Sequence, residues 1–407
     1  MDKVYERCCG IDVHKKVVVA YLRTGRKKEV REYGTTTREL LNLTDWLLES
    51  ECQMIAMEST ASYWKPLYNV FESNGLPAMV VNASHMKAVP GRKTDVKDAE
   101  WIADLLQHGL LKSSFIPDKA QRELRELVSY RRSLVGEKTR ELNRLQKMLE
   151  GGNIKLSGTV SDINGKSARN ILNALVKGEN ITPERLSSLV VGRLKASPSQ
   201  LMEDLQGILS PLQRKMLSVV LIHIDELDKH IAELDDEIDN NMRSDYQSCI
   251  ELVDSVTGIG PDSAKVILSV IGTDMSRFPS DAHLSSWAGL SPGNNESAGK
   301  RRSGRTTKGN KLLKTTMIQC AHSAVMVKSS YFCAQFQRIS ARRGRKRAYV
   351  AIAHSMLIAV YHMLKNGQVF SDLGADYYNQ FNKERKINAC LRKLQSLGWS
   401  PQNIATA

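Results

Sequence analysis

The sequence predicts an α/β unit followed by helices: an N-terminal mixed-sheet domain, a helical coiled-coil middle and a mainly helical C-terminal domain. Three observations carry this. Short apolar runs alternate with helix-like periodicity over the first 115 residues. Leucines then recur at helical spacing through two long charged stretches. Beyond residue 250, helix patterns are broken by glycine-rich turns.

In chain order, the runs at 7–13 and 16–22 read as a hairpin, and EVREYG at 29–34 as a third strand. A helix at 37–50 leads to a strand ending at Glu58. A helix at 63–73 precedes PAMVVN, a fifth strand behind Gly75 and Pro77, and a helix over 95–108 completes the set. Three adjacent strands followed by alternating helices and strands fit a mixed sheet. That order is also the order of the ribonuclease H-like fold.

Residues 119–149 form a long charged helix with Leu124, Leu127, Leu134, Leu142, Leu145 and Leu149 at helical spacing. A second, at 211–240, repeats Leu227, Ile231, Leu234 and Ile238. Such stripes suggest an antiparallel coiled coil or a dimerising arm. DSVTGIGPDSAKVILSVIG reads as helix, turn, helix, and Gly258 and Gly260 line a turn able to offer backbone N–H groups to a phosphate. A Gly-, Ser- and Asn-rich loop follows at 291–306. The expected division is 1–118, 119–249, 250–370 and a tail at 371–407.

With 407 residues the chain is long enough for two or three domains, and its 42% apolar and 25% charged residues are those of an ordinary globular protein. A net charge of +14 favours a polyanionic partner. The seven cysteines show no metal-ligand spacing and read as reduced thiols. No N-terminal apolar signal or apolar run of about twenty residues stands out, so the expectation is a cytoplasmic protein with no membrane partner.

Four carboxylates point to chemistry. Asp12 interrupts an apolar strand, where a charge is expensive unless paired or metal-bound. Glu58 closes another apolar run. Asp95 and Asp98 stand three apart and share a helix face. Oxygen donors of this kind suit Mg²⁺, and metal-held carboxylates serve phosphodiester cleavage. The basic stretches 300–314 and 338–347 suit phosphate contacts, with few aromatics interleaved to stack bases. Nucleic acid is therefore the expected partner.

GIDVHK around Asp12, MESTASYW from Met57 and GRKTDVKDA around Asp95 and Asp98 resemble the DEDD signature of the IS-one-ten insertion-sequence transposases. GIGPDSAKVILSVIG and SSWAGLSPGNNESAGKRRSGRTTKGN resemble that family's second block. The resemblance implies a RuvC-like nuclease domain, a coiled-coil region and a C-terminal transposase domain. It implies Mg²⁺ held by Asp12, Glu58, Asp95 and Asp98, donor and target DNA as substrates, and a noncoding bridge RNA that specifies them. Ser297 matches the serine implied as nucleophile, although Ala298 stands where the family text commonly has glycine; Ser303 is its nearest competitor. Lys300, Arg301, Arg302, Arg305, Lys308 and Lys311 would grip phosphates beside it. Strand exchange needs several active sites, hence a dimer or tetramer. The alternatives are a RuvC-like structure-selective nuclease that uses water, and a non-catalytic nucleic-acid-binding protein.

Overall fold

The computed structural model describes residues 3–59, 61–82, 95–192, 196–242, 246–293, 295–297, 300–380 and 383–398, with the backbone alone for 95–96, 295–297, 300–303, 379 and 384–386. It divides into two compact units, Met1–Pro117 and Asp118–Ala407.

The first unit is built on a five-stranded mixed sheet. β1 (Arg7–Val13), β2 (Val17–Thr24) and β3 (Lys27–Gly34) form an antiparallel meander. β4 (Met54–Glu58) lies parallel to β1, and β5 (Ala78–Val81) parallel to β4, giving the order β3-β2-β1-β4-β5. β1 is covered on both faces, and so reads as a nearly continuous apolar run. β3 is largely exposed and is held by eight-residue pairing with β2 rather than by burial. Its charges hide the alternation that marks a strand, which is why it and β2 extend beyond the expected 29–34 and 16–22.

Helices cover both faces. α1 (Thr37–Glu49) and α2 (Trp64–Ser73) pack Leu43, Trp46, Leu47, Leu67 and Phe71 on Cys9, Ile11, Ile55 and Met57. On the opposite face α3 (Asp95–Gln107) sets Ile102 and Leu106 against Cys8 and Ala56, and Ala99 and Ala103 against Val19 and Tyr21. α3 runs antiparallel to β1: Val4 N–H donates to the Gln107 carbonyl (2.8 Å), and the Cys8 thiol to that of Ala103 (3.8 Å). The contact is closest at Gly10, where a Cβ would fall 2.3 Å from both Ala103 N and Ala99 O. Burial pushes the Cys8 thiol up to about 11 and the Cys52 thiol up to about 12, so neither is a ready nucleophile.

Among the described residues, the regular structure of the second unit is helical apart from one small hairpin. α4 (Lys119–Gly151) opens at Asp118, whose side chain caps Gln121 N–H (2.9 Å). Four short helices follow: α5 (Leu156–Thr159), α6 (Lys166–Lys177), α7 (Pro183–Leu189) and α8 (Pro198–Asp204). α9 (Pro211–Asn241) starts at a reciprocal Ser210–Gln213 capping box with Pro211 in its first turn. Ion pairs Arg131–Asp235 and Lys138–Asp228 show α4 and α9 to be antiparallel. The short helices close a core around Leu145, Leu172 and Ile224 at one end of this pair.

The remaining elements are α10 (Gln247–Asp254), α11 (Pro261–Ile271), α12 (Asp281–Trp287), β6 (Asn295–Ser297), β7 (Lys300–Ser303), α13 (Lys311–Met326), α14 (Tyr331–Arg343), α15 (Arg345–Asn366), α16 (Tyr377–Gln380) and α17 (Lys383–Ser396). α15 is long and apolar enough, by length and composition, to cross a membrane. Here it buries Ala348, Ile352, Met356, Leu357 and Val360, and Tyr361 donates its hydroxyl to the Phe278 carbonyl (3.2 Å).

Because backbone atoms of α3 bound the space at Gly10, no side-chain rearrangement relieves an added methyl. Gly10→Ala is expected to destabilise the first unit by about 1–3 kcal/mol, and Gly10→Val by more. Denaturant unfolding of the purified variants measures this; a wild-type midpoint for Gly10→Ala would contradict the packing described.

Candidate active site

Asp12 is the penultimate residue of β1 and Glu58 the last of β4. Ile11 and Met57 are paired across these parallel strands, so Asp12 and Glu58 are neighbours one step further on. Adjacent strands run about 4.8 Å apart. Alternation places both residues on the face that carries Cys8, Gly10 and Ala56, the face covered by α3. Since α3 runs antiparallel to β1, the series Gln107, Ala103, Ala99 ascends the sheet towards Asp12, and the first turn, Asp95–Asp98, arrives at its carboxyl end. The structure thus directs two strand-end carboxylates and the acidic start of a helix to one region.

Asp12 is buried, with 6% of the residue exposed, while Glu58 and Asp98 are half-buried. A buried carboxylate needs a partner, and His14 Nε2 lies 3.0 Å from Asp12 Oδ2. The imidazole is itself half exposed, at the entry to the β1–β2 turn, where His14 N–H bonds the Val17 carbonyl (2.9 Å). Sequence reading missed His14 as a site residue. Its signal was present: two positions beyond Asp12, it projects from the same side of the strand.

A polar latch holds α3 in place. Tyr21 Oη donates to Glu100 Oε1 (2.7 Å), and Lys28 Nζ approaches the same oxygen (3.3 Å). Arg23 bonds Gln107 Oε1 (3.1 Å) and pairs with Asp104. The Tyr21 hydrogen bond, with help from Lys28, holds the Glu100 carboxyl below its ordinary range. Burial and the same bond push the Tyr21 phenol up to about 12.

The donor set is oxygen-only and anionic, which suits a hard divalent cation in type, and the strand-end placement of Asp12 and Glu58 suits it in position. Among the described residues, no three His, Cys, Asp or Glu side chains are grouped closely enough to hold an ion. The side chain of Asp95 lies outside the described residues.

In the second unit, the stretch expected as a loop at 291–306 contains a two-stranded ribbon. β6 and β7 pair antiparallel with Ser297 opposite Lys300 and Glu296 opposite Arg301, and an irregularity follows Asn295. Pro292 bridges Thr306, Gly293 N–H bonds the Arg305 carbonyl (3.0 Å), and Thr307 Oγ1 ties the base to the Ser286 carbonyl (3.3 Å). The ribbon lacks an apolar face, so nothing in its hydropathy marks it as strand. The side chains of Ser297, Lys300, Arg301 and Arg302 lie outside the described residues; Arg305, Lys308 and Lys311 are exposed around its base.

The Gly258–Gly260 turn joins α10 to α11. Gly258 has φ 90°, and a Cβ there would fall 2.4 Å from Ala324 N of α13, so that glycine serves close helix packing. Gly260 is open and precedes the first turn of α11, which also carries Asp262.

Two family profiles match the chain. One, described as a DEDD transposase of the IS110 group, covers residues 9–154 and includes all four carboxylates; the other, described as the transposase IS116/IS110/IS902 family, covers 250–337 and includes Ser297. Both profiles describe transposases, so the class to which this chain belongs is that of enzymes acting on DNA. The chain belongs to the IS110 family of insertion-sequence transposases. The insertion element IS116 uncharacterized 44.8 kDa protein of Streptomyces clavuligerus is 25% identical over 323 residues, covering 69% of this chain and 78% of the relative. The insertion element IS110 uncharacterized 43.6 kDa protein of Streptomyces coelicolor is 27% identical over 312 residues, covering 69% and 73%.

The latch has a pH consequence. Because the folded-state pKa of Glu100 is lowered, the stability it adds is present above the ordinary value of 4.5 and is lost as pH falls through the lowered one. Tyr21→Phe should cost roughly 1 kcal/mol at neutral pH and flatten the acid limb of the stability profile. Urea unfolding between pH 3 and 7 reads both; an unchanged acid limb in Tyr21→Phe would show that the latch is not coupled to folding.

Proposed function

We propose that this transposase cuts and rejoins DNA by Mg²⁺-dependent phosphoryl transfer, with Ser297 as nucleophile and a structured noncoding bridge RNA as guide. The observation that carries the proposal is the placement of Asp12 and Glu58 on neighbouring strand ends beneath the acidic first turn of α3. The sheet order and these positions support a RuvC-like, ribonuclease H-like reading of the first unit. The antiparallel α4–α9 pair supports the coiled-coil reading of the segment that follows.

Asp12, Glu58, Asp95 and Asp98 would hold the metal. Bound there, Mg²⁺ supplies Lewis-acid stabilisation of charge on the phosphoryl oxygens. Ser297 Oγ attacks phosphorus, passing its proton to a nearby carboxylate or water, while the departing sugar oxygen takes up a proton. The phosphoserine diester conserves the broken bond, so reversal by another sugar hydroxyl rejoins DNA without ATP. Ser297 is suited to this by position: it ends one strand of a ribbon whose partner strand begins at Lys300. Arg305, Lys308 and Lys311, with Lys300, Arg301 and Arg302, would bind flanking phosphates. Strand exchange between two DNAs needs several active sites, which favours a dimer or tetramer; the carboxylates and the serine, on different compact units, would meet by folding or by oligomerisation.

Asp12→Ala and Asp98→Ala should each lower strand transfer by on the order of a thousandfold or more while sparing DNA binding. A nicked duplex, which prevents rejoining, should accumulate a covalent protein–DNA adduct that Ser297→Ala abolishes. No adduct with active wild-type protein, or an undiminished adduct in Ser297→Ala, favours the water-using nuclease. Absence of any cutting with Mg²⁺ and the RNA present favours a binding protein.

A further inference from the structure

From Ser297 to Ser371 the chain contains no Asp or Glu, across 75 residues that carry 15 Lys or Arg. The other 332 residues hold 43 basic and 44 acidic side chains, so the whole excess of positive charge resides in this one stretch. Part of it is the serine ribbon. The densest part lies elsewhere, at the joint between α14 and α15.

There α14 ends on Arg342 and Arg343, Gly344 turns the chain at φ 81°, and α15 begins Arg345, Lys346, Arg347. All five cations are exposed, and among the described residues none of them forms an ion pair. At the C-terminal end of α14 the helix dipole favours positive charge. At the N-terminal end of α15 it opposes it. That end also has no side-chain cap on its free N–H groups. Mutual repulsion and an opposing dipole, with no acidic residue to relieve them, are features that an external polyanion compensates.

The position of the joint separates it from the ribbon. His322, near the end of α13, stacks on Tyr349 in the second turn of α15 (3.6 Å between ring centroids). Lys311 opens α13 just behind the ribbon, eleven residues earlier and roughly 16 Å away along the helix axis. The two basic clusters therefore stand at opposite ends of α13. Tyr349 is already occupied by His322 and Phe336, and Tyr378 lies under Arg338. The surroundings offer charge for phosphates rather than free rings for bases.

We infer that Arg342, Arg343, Arg345, Lys346 and Arg347 form an anchoring site for the phosphodiester backbone of nucleic acid, distinct from the serine ribbon and outside the residues matched by the family profiles. The inference rests on the proposed reading of the chain as a nucleic-acid enzyme, and it adds a second, sequence-independent foothold set apart from the serine ribbon.

The test uses the full chain with two labelled probes, a random-sequence DNA duplex and an RNA stem-loop, titrated across a salt series. Replacing all five residues by Gln should weaken at least one probe about tenfold or more. It should also flatten the salt dependence, on duplex DNA by about 0.9 in log–log slope for each phosphate no longer neutralised. The probe whose affinity falls identifies DNA or RNA as the ligand. A companion variant with Lys at the four arginine positions should retain affinity and slope, separating removal of charge from a damaged fold. A third variant, Arg305→Gln with Lys308→Gln and Lys311→Gln, reports on the ribbon. If that variant weakens binding while the five-Gln variant keeps wild-type affinity and slope for both probes, the anchoring site is overturned alone. If wild-type protein binds neither probe, the underlying nucleic-acid reading falls with it.

Discussion

The proposed metal site of the first unit depends on how closely α3 lies on β1. A helix packed on a sheet is normally held off by the side chains between them. At Gly10 there is none, and the backbone at Ala99 and Ala103 descends onto the strand. This approach and the small side chains of Ala99 and Ala103 fix the height of the helix. The Val4–Gln107 and Cys8–Ala103 bonds fix its direction. Height and direction together decide where the Asp95–Asp98 turn arrives relative to Asp12 and Glu58. The latch of Tyr21 and Lys28 on Glu100 then resists sliding along the sheet.

The same geometry buries a charge. Burial of Asp12 removes hydration that His14 Nε2, 3.0 Å from its Oδ2, helps to replace. An apolar residue there would pack well between sheet and helix. The chain instead keeps a charge there, with Glu58 on the neighbouring strand and the turn that carries Asp98 arriving at the same end of the sheet. Such arrangements are usual where a site is organised for a ligand that arrives later. His14 is then best regarded as a partner that steadies Asp12, exposed enough to turn away.

How much of this was legible in the sequence follows from what each element buries. β1, β4 and β5 bury their residues, so their apolar runs announced them, and the carboxylates at the ends of β1 and β4 stood out as exceptions. α3 announced its acidic face through the spacing of Asp95 and Asp98. β3 buries little and is held by backbone pairing, so its charged start at Lys27 fell outside the expected 29–34. The ribbon strands contain no apolar residue, so the sequence reads them as loop. The approach at Gly10 was equally hidden, because one glycine in an apolar run has many explanations and only its opposite helix selects one. Gly258 adds a packing role that the sequence did not reveal, because its close approach to Ala324 depends on a helix more than sixty residues away, while Gly260 beside it remains open.

The concentration of positive charge in one acid-free stretch has its own logic. Carboxylates that are to hold a divalent cation must not be neutralised by neighbouring lysines or arginines, which would pair with them and compete with the ion. Phosphodiesters nevertheless approach a cluster of acids only against repulsion, so attraction must be supplied from elsewhere. On the proposed reading it would come from a stretch with no acids of its own. Every carboxylate placed there would pair internally with a cation and remove it from reach of a phosphate. On the proposed reading, the absence of Asp and Glu from Ser297 to Ser371 is the counterpart of the acidic strand ends, leaving that stretch available to a polyanion.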